Sequence, residues 1–131
     1  MDVAGAVLER IRQVAASHPE VRALYVFGSR AAGGARADSD LDLAVLYRAD
    51  QPPGAILRLG QLLEDATRQK IDLVDVARAS AFLALEIVRG ERAFCREPTE
   101  ADRFELYVLR RAGDLLPFER QRQALLIAPR P

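Results

Sequence analysis

Apolar runs at two places in the chain, Val21–Phe27 and Leu41–Tyr47, predict a pair of strands. The first run is apolar at most positions, which is typical of a strand covered on both faces. A third run, 70–76, predicts another strand, and the stretch 92–95 predicts a short strand at a sheet edge. These segments are expected to build the sheet of the protein.

Helical spacing of apolar residues predicts helices between and before those strands. The first spans the opening residues and ends near 17–19, because Pro19 disfavours helical backbone at the residue before it. A second is predicted up to about residue 68, and it contains Gly60, which costs about 1 kcal/mol relative to alanine and allows close packing on the sheet. Helices are therefore expected to alternate with the strands.

A third helix is predicted from about residue 81 to residue 89. Ser80 is a suitable N-cap for it and Gly90 a suitable C-terminal stop. The pattern places three apolar residues on its inward face, namely Phe82, Leu85 and Val88. This helix is expected to pack against the sheet.

The last part of the chain also has a helical pattern. Thr99 followed by Asp102 resembles a capping box, and helix is predicted after it. Gly113 and Pro117 are expected to interrupt it, so that 115–127 forms either a separate last helix or a kinked continuation. Its apolar residues pack back on the core or contact a partner.

Three aspartates on the predicted strands suggest the chemistry of the protein. Asp40 and Asp42 are two residues apart at the start of the second strand, so their side chains point to the same face. Carboxylates this close repel each other unless a shared proton or a cation neutralises them, and Mg²⁺ is commonly held by one or two carboxylates. Asp72 lies within an apolar strand, where burial of its carboxylate costs free energy unless it has a partner. Asp75 lies on the opposite face of the same strand.

A Gly28–Ser29 pair follows the first strand, at the point where the chain is expected to turn into a short helix over 29–34. Such a turn offers free backbone N–H groups and a hydroxyl to a phosphate. Arg30 is close enough to contact a triphosphate, or else is a solvated arginine. A phosphate-binding turn beside paired acids suits nucleoside triphosphate chemistry, whereas the plain alternative is a hairpin whose aspartates only cap turns.

Gly28–Ser29, ten residues and then Asp40-x-Asp42 resembles the signature of the polymerase-β-like nucleotidyltransferases. The short chain resembles their minimal group, and in particular the antitoxins of HEPN/MNT toxin–antitoxin pairs. The resemblance implies an α/β (α+β) fold, with a mixed sheet flanked by helices and a C-terminal helical arm. One domain is expected over 1–131, with its core at about 1–97 and the arm at about 99–127.

The same resemblance implies a reaction and a set of roles. AMP passes from ATP to a hydroxyl, implied to be a tyrosine of a HEPN ribonuclease toxin on a separate chain. Asp40, Asp42 and Asp72 are then the catalytic acids and the ligands of two Mg²⁺ ions, with Asp75 the alternative to Asp72. The nucleotide-binding residues are Gly28, Ser29 and Arg30.

Two other functions fit parts of the pattern. One is nucleotidyl transfer to a small molecule such as an aminoglycoside, although those enzymes tend to be longer and to carry a substrate domain. The other is a non-catalytic antitoxin that neutralises its partner only by covering it. The acidic face argues against the second alternative, because a pure binding module does not require it.

The amino-acid composition narrows the range of possible functions and locations further. With 131 residues, 50% of them hydrophobic, the chain can bury a core. Its 19 basic and 19 acidic residues cancel, which argues against general nucleic-acid binding. A single cysteine excludes an intrachain disulfide, and the apolar runs are too short to span a membrane. A cytoplasmic protein is expected.

Overall fold

Helices and strands alternate along the parts of the chain that the computed structural model describes, residues 5–28 and 40–127, with side chains described as far as residue 113. The order is α1 (Gly5–Ala16), β1 (Val21–Phe27), β2 (Leu41–Tyr47), α2 (Ala55–Thr67), β3 (Ile71–Asp75), a 3-10 helix (Val76–Arg78), α3 (Ala81–Arg89), β4 (Glu91–Cys95) and α4 (Pro98–Ile127). Among these residues, no helix combines the length and apolar character that a membrane crossing requires.

The strands form one four-stranded mixed sheet in the order β3-β2-β1-β4. β1 pairs antiparallel with both β2 and β4, whereas β2 and β3 pair in parallel. Parallel neighbours require a crossover connection, and α2 provides it. The predicted mixed sheet is confirmed, and β1 and β2 have the predicted bounds.

Helices cover both faces of this sheet. On the α1–α2 side the buried residues are Leu8, Ile11, Ala15, Val21, Leu24, Val26, Leu41, Leu43, Val45, Leu59, Leu63 and Ala93. On the α3–α4 side they are Ala23, Tyr25, Phe27, Ala44, Leu46, Val76, Ala84, Leu85, Ile87, Val108 and Ala112. β2 contributes residues to both cores. On the face of β2 toward α3 and α4, the acids stand only at the start of the strand, since Ala44 and Leu46 farther along that face are apolar and buried.

The ends of α3 agree with the prediction, and of the predicted inward residues Leu85 is buried and Val88 packs against the same core. Ser80 Oγ accepts a hydrogen bond from the Leu83 N–H at 3.1 Å, as an N-cap should. The prediction that Phe82 faces inward is wrong, because 44% of this residue is exposed. The stripe that packs on the sheet starts one residue earlier, and its buried members are Ala81, Ala84, Leu85 and Ile87.

The C-terminal helix α4 starts one residue earlier than the predicted arm and ends at Ile127, as predicted. Pro98 is its first residue, a position where the missing proline N–H costs nothing, so the capping box at Thr99 is wrong. The helix passes through Gly113 and Pro117 without the predicted interruption, so the continuation is the alternative that the structure shows. The side chains of 115–127, and with them the question of what they pack against, lie outside the described residues.

Candidate active site

The three predicted acids lie at one end of the sheet. Asp40 directly precedes β2, Asp42 is its second residue, and Asp72 is the second residue of β3. The parallel register places Asp42 directly opposite Asp72. Residues opposite each other on neighbouring strands point to the same face of a sheet. The tertiary structure therefore brings Asp72 to the Asp40–Asp42 pair.

Electrostatic repulsion among these acids is visible in the ionisation of Asp42. Burial raises its pKa, and the carboxylates of Asp72, Asp40 and Glu86 raise it further, in that order. Within the described residues, none of the three predicted acids forms an ion pair with an arginine or a lysine. Asp42 thus lies in a field of negative charge that the described part of the chain leaves uncompensated.

The sequence analysis expected Asp72 to be buried and therefore to need a partner for its charge, and this expectation is wrong. β3 is an edge strand, and Asp72 is exposed on it. What distinguishes this residue is its position opposite Asp42, which the chain order alone does not reveal. Asp72 also lines a shallow groove of about 290 Å³ between β3 and α2.

Asp75, the alternative third acid, has a different role in the described structure. It pairs with Val45, three positions along β2 from Asp42. Its Oδ1 accepts a hydrogen bond from the Ala77 N–H at 3.0 Å, which caps the 3-10 helix, and its Oδ2 lies 3.9 Å from Arg78 Nε. The carboxylate of Asp75 is therefore engaged in local structure, away from the other acids.

Gly28 touches this acidic site directly. Its φ of +79° is strained for any residue with a side chain, and a Cβ built on it would lie 2.3 Å from Asp42 Oδ2. Glycine is thus required both for the turn and for the approach of the Asp42 carboxylate. Ser29 and Arg30, the other predicted nucleotide-binding residues, lie outside the described residues, as does the predicted short helix over 29–34.

The carboxylates of the site suit a cation whose coordination shell is completed by ligands from outside the protein. Among the described residues, no three His, Cys, Asp or Glu side chains converge into a metal-binding group. Mg²⁺ does not need such a group, because it keeps several waters and takes one or two carboxylates together with substrate phosphates. The uncompensated Asp42 and its neighbouring carboxylates, beside a glycine turn, fit that mode of binding.

Glu86 is a fourth acid near the site that the sequence interpretation missed. It lies on the exposed side of α3 and raises the pKa of Asp42 after burial, Asp72 and Asp40. On the sequence it is one polar residue on an amphipathic helix, which is normally a solvent-facing position. Only the packing of α3 across the sheet places it near β2.

A larger cleft, of about 610 Å³, opens at the opposite ends of β2 and β3. Tyr47, Asp75 and Arg78 are among its lining residues, and Asp40, Asp42 and Asp72 are not. The candidate site is therefore defined by its acids and its glycine turn, and it is separate from this cleft.

Comparison with known proteins shows the family of this chain. Residues 9–99 match the polymerase beta nucleotidyltransferase family. The protein adenylyltransferase MntA of Aphanizomenon flos-aquae is 34% identical over 102 residues, covering 70% of this chain and 68% of that protein. The MntA of Shewanella oneidensis is 28% identical over 109 residues, covering 82% and 76%.

A solved structure of a toxin–antitoxin with AMP-PNP has the same fold. It superposes with a TM-score of 0.73 at 26% identity, and the match covers 91% of this chain and 94% of that chain. The family match, the sequence identity and the fold together establish that the chain belongs to the polymerase beta nucleotidyltransferase family, in the group of the MntA protein adenylyltransferases.

Proposed function

We propose that this protein transfers AMP from ATP to a hydroxyl, a tyrosine hydroxyl of a cognate HEPN toxin, and so neutralises that toxin. The observation that carries the proposal is the pairing of Asp42 with Asp72 beside Gly28, whose missing side chain gives the Asp42 carboxylate its place. Relatives of this chain are protein adenylyltransferases, and one solved relative is a toxin–antitoxin with AMP-PNP. These names favour a protein acceptor over a small molecule.

The residues of the site have separate tasks in this reaction. The backbone N–H groups at Gly28 and the Ser29 hydroxyl bind phosphate oxygens of ATP, and Arg30 adds positive charge there. Asp40, Asp42 and Asp72 hold Mg²⁺. Bound Mg²⁺ supplies neutralisation of the triphosphate charge and alignment of the attacking and leaving oxygens. A cytoplasmic location, where ATP is abundant, belongs to the proposal.

The chemical step exchanges one bond for another at the α-phosphorus of ATP. The acceptor oxygen forms a bond to that phosphorus while the bond to the bridging oxygen of pyrophosphate breaks. Asp72, at the open edge of the sheet, accepts the proton that leaves the acceptor hydroxyl. The products are the O-adenylylated toxin, pyrophosphate and a proton, and the protein contributes mainly positioning and charge.

An assay with labelled ATP, Mg²⁺ and the product of the neighbouring reading frame tests the proposal. We expect label on that product, and a loss of about 100-fold or more for Asp42→Asn and for Asp72→Asn, because each removes charge that the transition state requires. Asp75→Asn is the matched control, since an asparagine oxygen can still accept the Ala77 hydrogen bond. Label transfer that survives Asp42→Asn would contradict the assigned site.

A further inference from the structure

A second glycine, Gly90, contacts the strand that leads into the candidate site. It lies between α3 and β4, and a Cβ built on it would be 2.2 Å from the Val26 carbonyl oxygen and 3.1 Å from Phe27 Cα. Both contacts are to backbone, which cannot move aside as a flexible side chain can. Gly90 has a φ of −74° and a ψ of −150°, so the positive φ that requires glycine at position 28 is not the reason here, and the close backbone contacts are.

The stretch of β1 that Gly90 contacts is the one next to the acids. Phe27 pairs with Asp42 on β2, while Val26 pairs on its other side with Glu91, the residue after Gly90. Gly28 follows, where a Cβ would lie 2.3 Å from Asp42 Oδ2. Residues 26–28 are thus held between the Gly90 backbone and the Asp42 side chain, with no spare room on either side.

We propose that Gly90 is a positioning residue of the nucleotide site: its missing side chain seats the α3–β4 turn on β1 and thereby fixes Gly28 against Asp42. The inference rests on the proposed function, in which Gly28 binds phosphate and Asp42 binds the metal. Gly90 itself touches neither. The same turn ends α3, which carries Glu86 toward the acids, so a shift of the turn disturbs the site from two directions.

The variant Gly90→Ala tests the inference, and Gly60→Ala is its matched control. A Cβ at Gly60 meets Leu73 side-chain atoms at 3.9 Å, an ordinary contact, so this substitution needs no adjustment of the sheet. For Gly90→Ala we expect kcat/KM for adenylyl transfer, and the affinity for ATP measured by calorimetry with Mg²⁺, to fall on the order of 10- to 100-fold. Gly60→Ala should leave both unchanged.

A general loss of stability has to be separated from a loss of positioning. Ile11→Val removes a buried methyl group from the core on the α1–α2 side and lowers stability by about 0.5–1.5 kcal/mol without touching β1 near Gly28. All variants are assayed at a temperature at which circular dichroism shows them folded. Weak nucleotide binding in Gly90→Ala, with normal binding in Ile11→Val, supports positioning.

The amide resonances of the wild-type protein give a second readout that needs no variant. Titration with ATP and Mg²⁺ should shift the resonances of Gly28 and Gly90 together and leave that of Gly60 in place. A stationary Gly90 resonance, or wild-type turnover in Gly90→Ala, would overturn the role of Gly90 alone. Absence of AMP transfer by the wild-type protein would overturn the proposed function.

Discussion

At the scale of single residues, Asp42 carries a charge that the described part of the chain does not compensate. Its pKa is raised by burial and by the neighbouring carboxylates, so the folded protein holds this proton more tightly than the unfolded chain does. Ionisation therefore destabilises the metal-free fold. This loss of folding stability is complete above the folded-state pKa of Asp42, and it disappears as the pH falls below the ordinary aspartate pKa of 3.8.

Replacing Asp42 by asparagine should therefore stabilise the metal-free protein. We expect the melting temperature of Asp42→Asn to exceed that of the wild type by roughly 1 to 4 °C near neutral pH, and the difference to vanish at about pH 3. Differential scanning calorimetry in a chelating buffer measures it. Asp65→Asn, at an exposed position on α2, is the control and should show no such trend. A lower melting temperature for Asp42→Asn at neutral pH would show that the charge is compensated.

At the scale of secondary-structure elements, Arg96 holds the end of α1 against the start of β1. Its guanidinium donates to the carbonyl oxygens of Ala15 at 2.9 Å, His18 at 3.1 Å and Val21 at 3.1 Å. Ala15 lies in the last turn of α1 and His18 just after it, where carbonyl oxygens have no partner within the helix itself, and Val21 begins β1. The guanidinium also lies 5.2 Å from the centre of the Phe94 ring. One side chain thus joins α1, β1 and β4.

Removal of this guanidinium should cost more than removal of a surface arginine. We expect Arg96→Ala to lower the free energy of unfolding by about 2–3 kcal/mol, because partly buried carbonyls lose charged donors. Arg96→Lys should recover less than half of the loss, since a lysine cannot reproduce the planar array of donors. Urea denaturation measures both. Arg103→Ala, whose side chain is 75% exposed, should change the value by less than about 0.5 kcal/mol.

At the scale of the whole molecule, a polar cluster joins the sheet to the C-terminal helix. Glu105 on α4 accepts hydrogen bonds from the Tyr25 hydroxyl at 2.7 Å and from Arg92 Nε at 2.9 Å, while Arg92 also donates to Asp102 at 2.7 Å. Burial and the Glu105 carboxylate together raise the pKa of Tyr25, which keeps its hydroxyl protonated as a donor. The division of the chain into a core and an arm stays a prediction, and this cluster is where the two would be joined.

A double-mutant cycle should detect that connection. We expect Tyr25→Phe and Glu105→Ala each to destabilise the protein, and their effects to be non-additive by about 0.5–3 kcal/mol because each removes one partner of the same hydrogen bond. Thermal unfolding of the two single variants and the double variant measures the coupling. Tyr47→Phe combined with Glu105→Ala serves as the control cycle and should be additive. Additivity in the Tyr25 cycle would mean that the bond contributes nothing to docking of α4.

Short-range patterns in the sequence predicted much of the fold and part of the site. The two apolar runs gave β1 and β2 with correct bounds, and Ser80 and Gly90 marked the ends of α3. Period two placed Asp40 and Asp42 on one face. Each of these features depends on neighbours within a few residues, so the local sequence carries the information.

Only the tertiary structure decided which distant residues meet. The register of β2 with β3 brought Asp72 opposite Asp42 and left Asp75 to cap a turn, and the packing of α3 exposed Phe82 and brought Glu86 toward the acids. Strand pairing and helix packing depend on how whole faces fit together, which no short segment encodes by itself. The amino-acid sequence thus determined the elements and the chemical groups that they carry, whereas long-range packing determined how those groups are combined into a site.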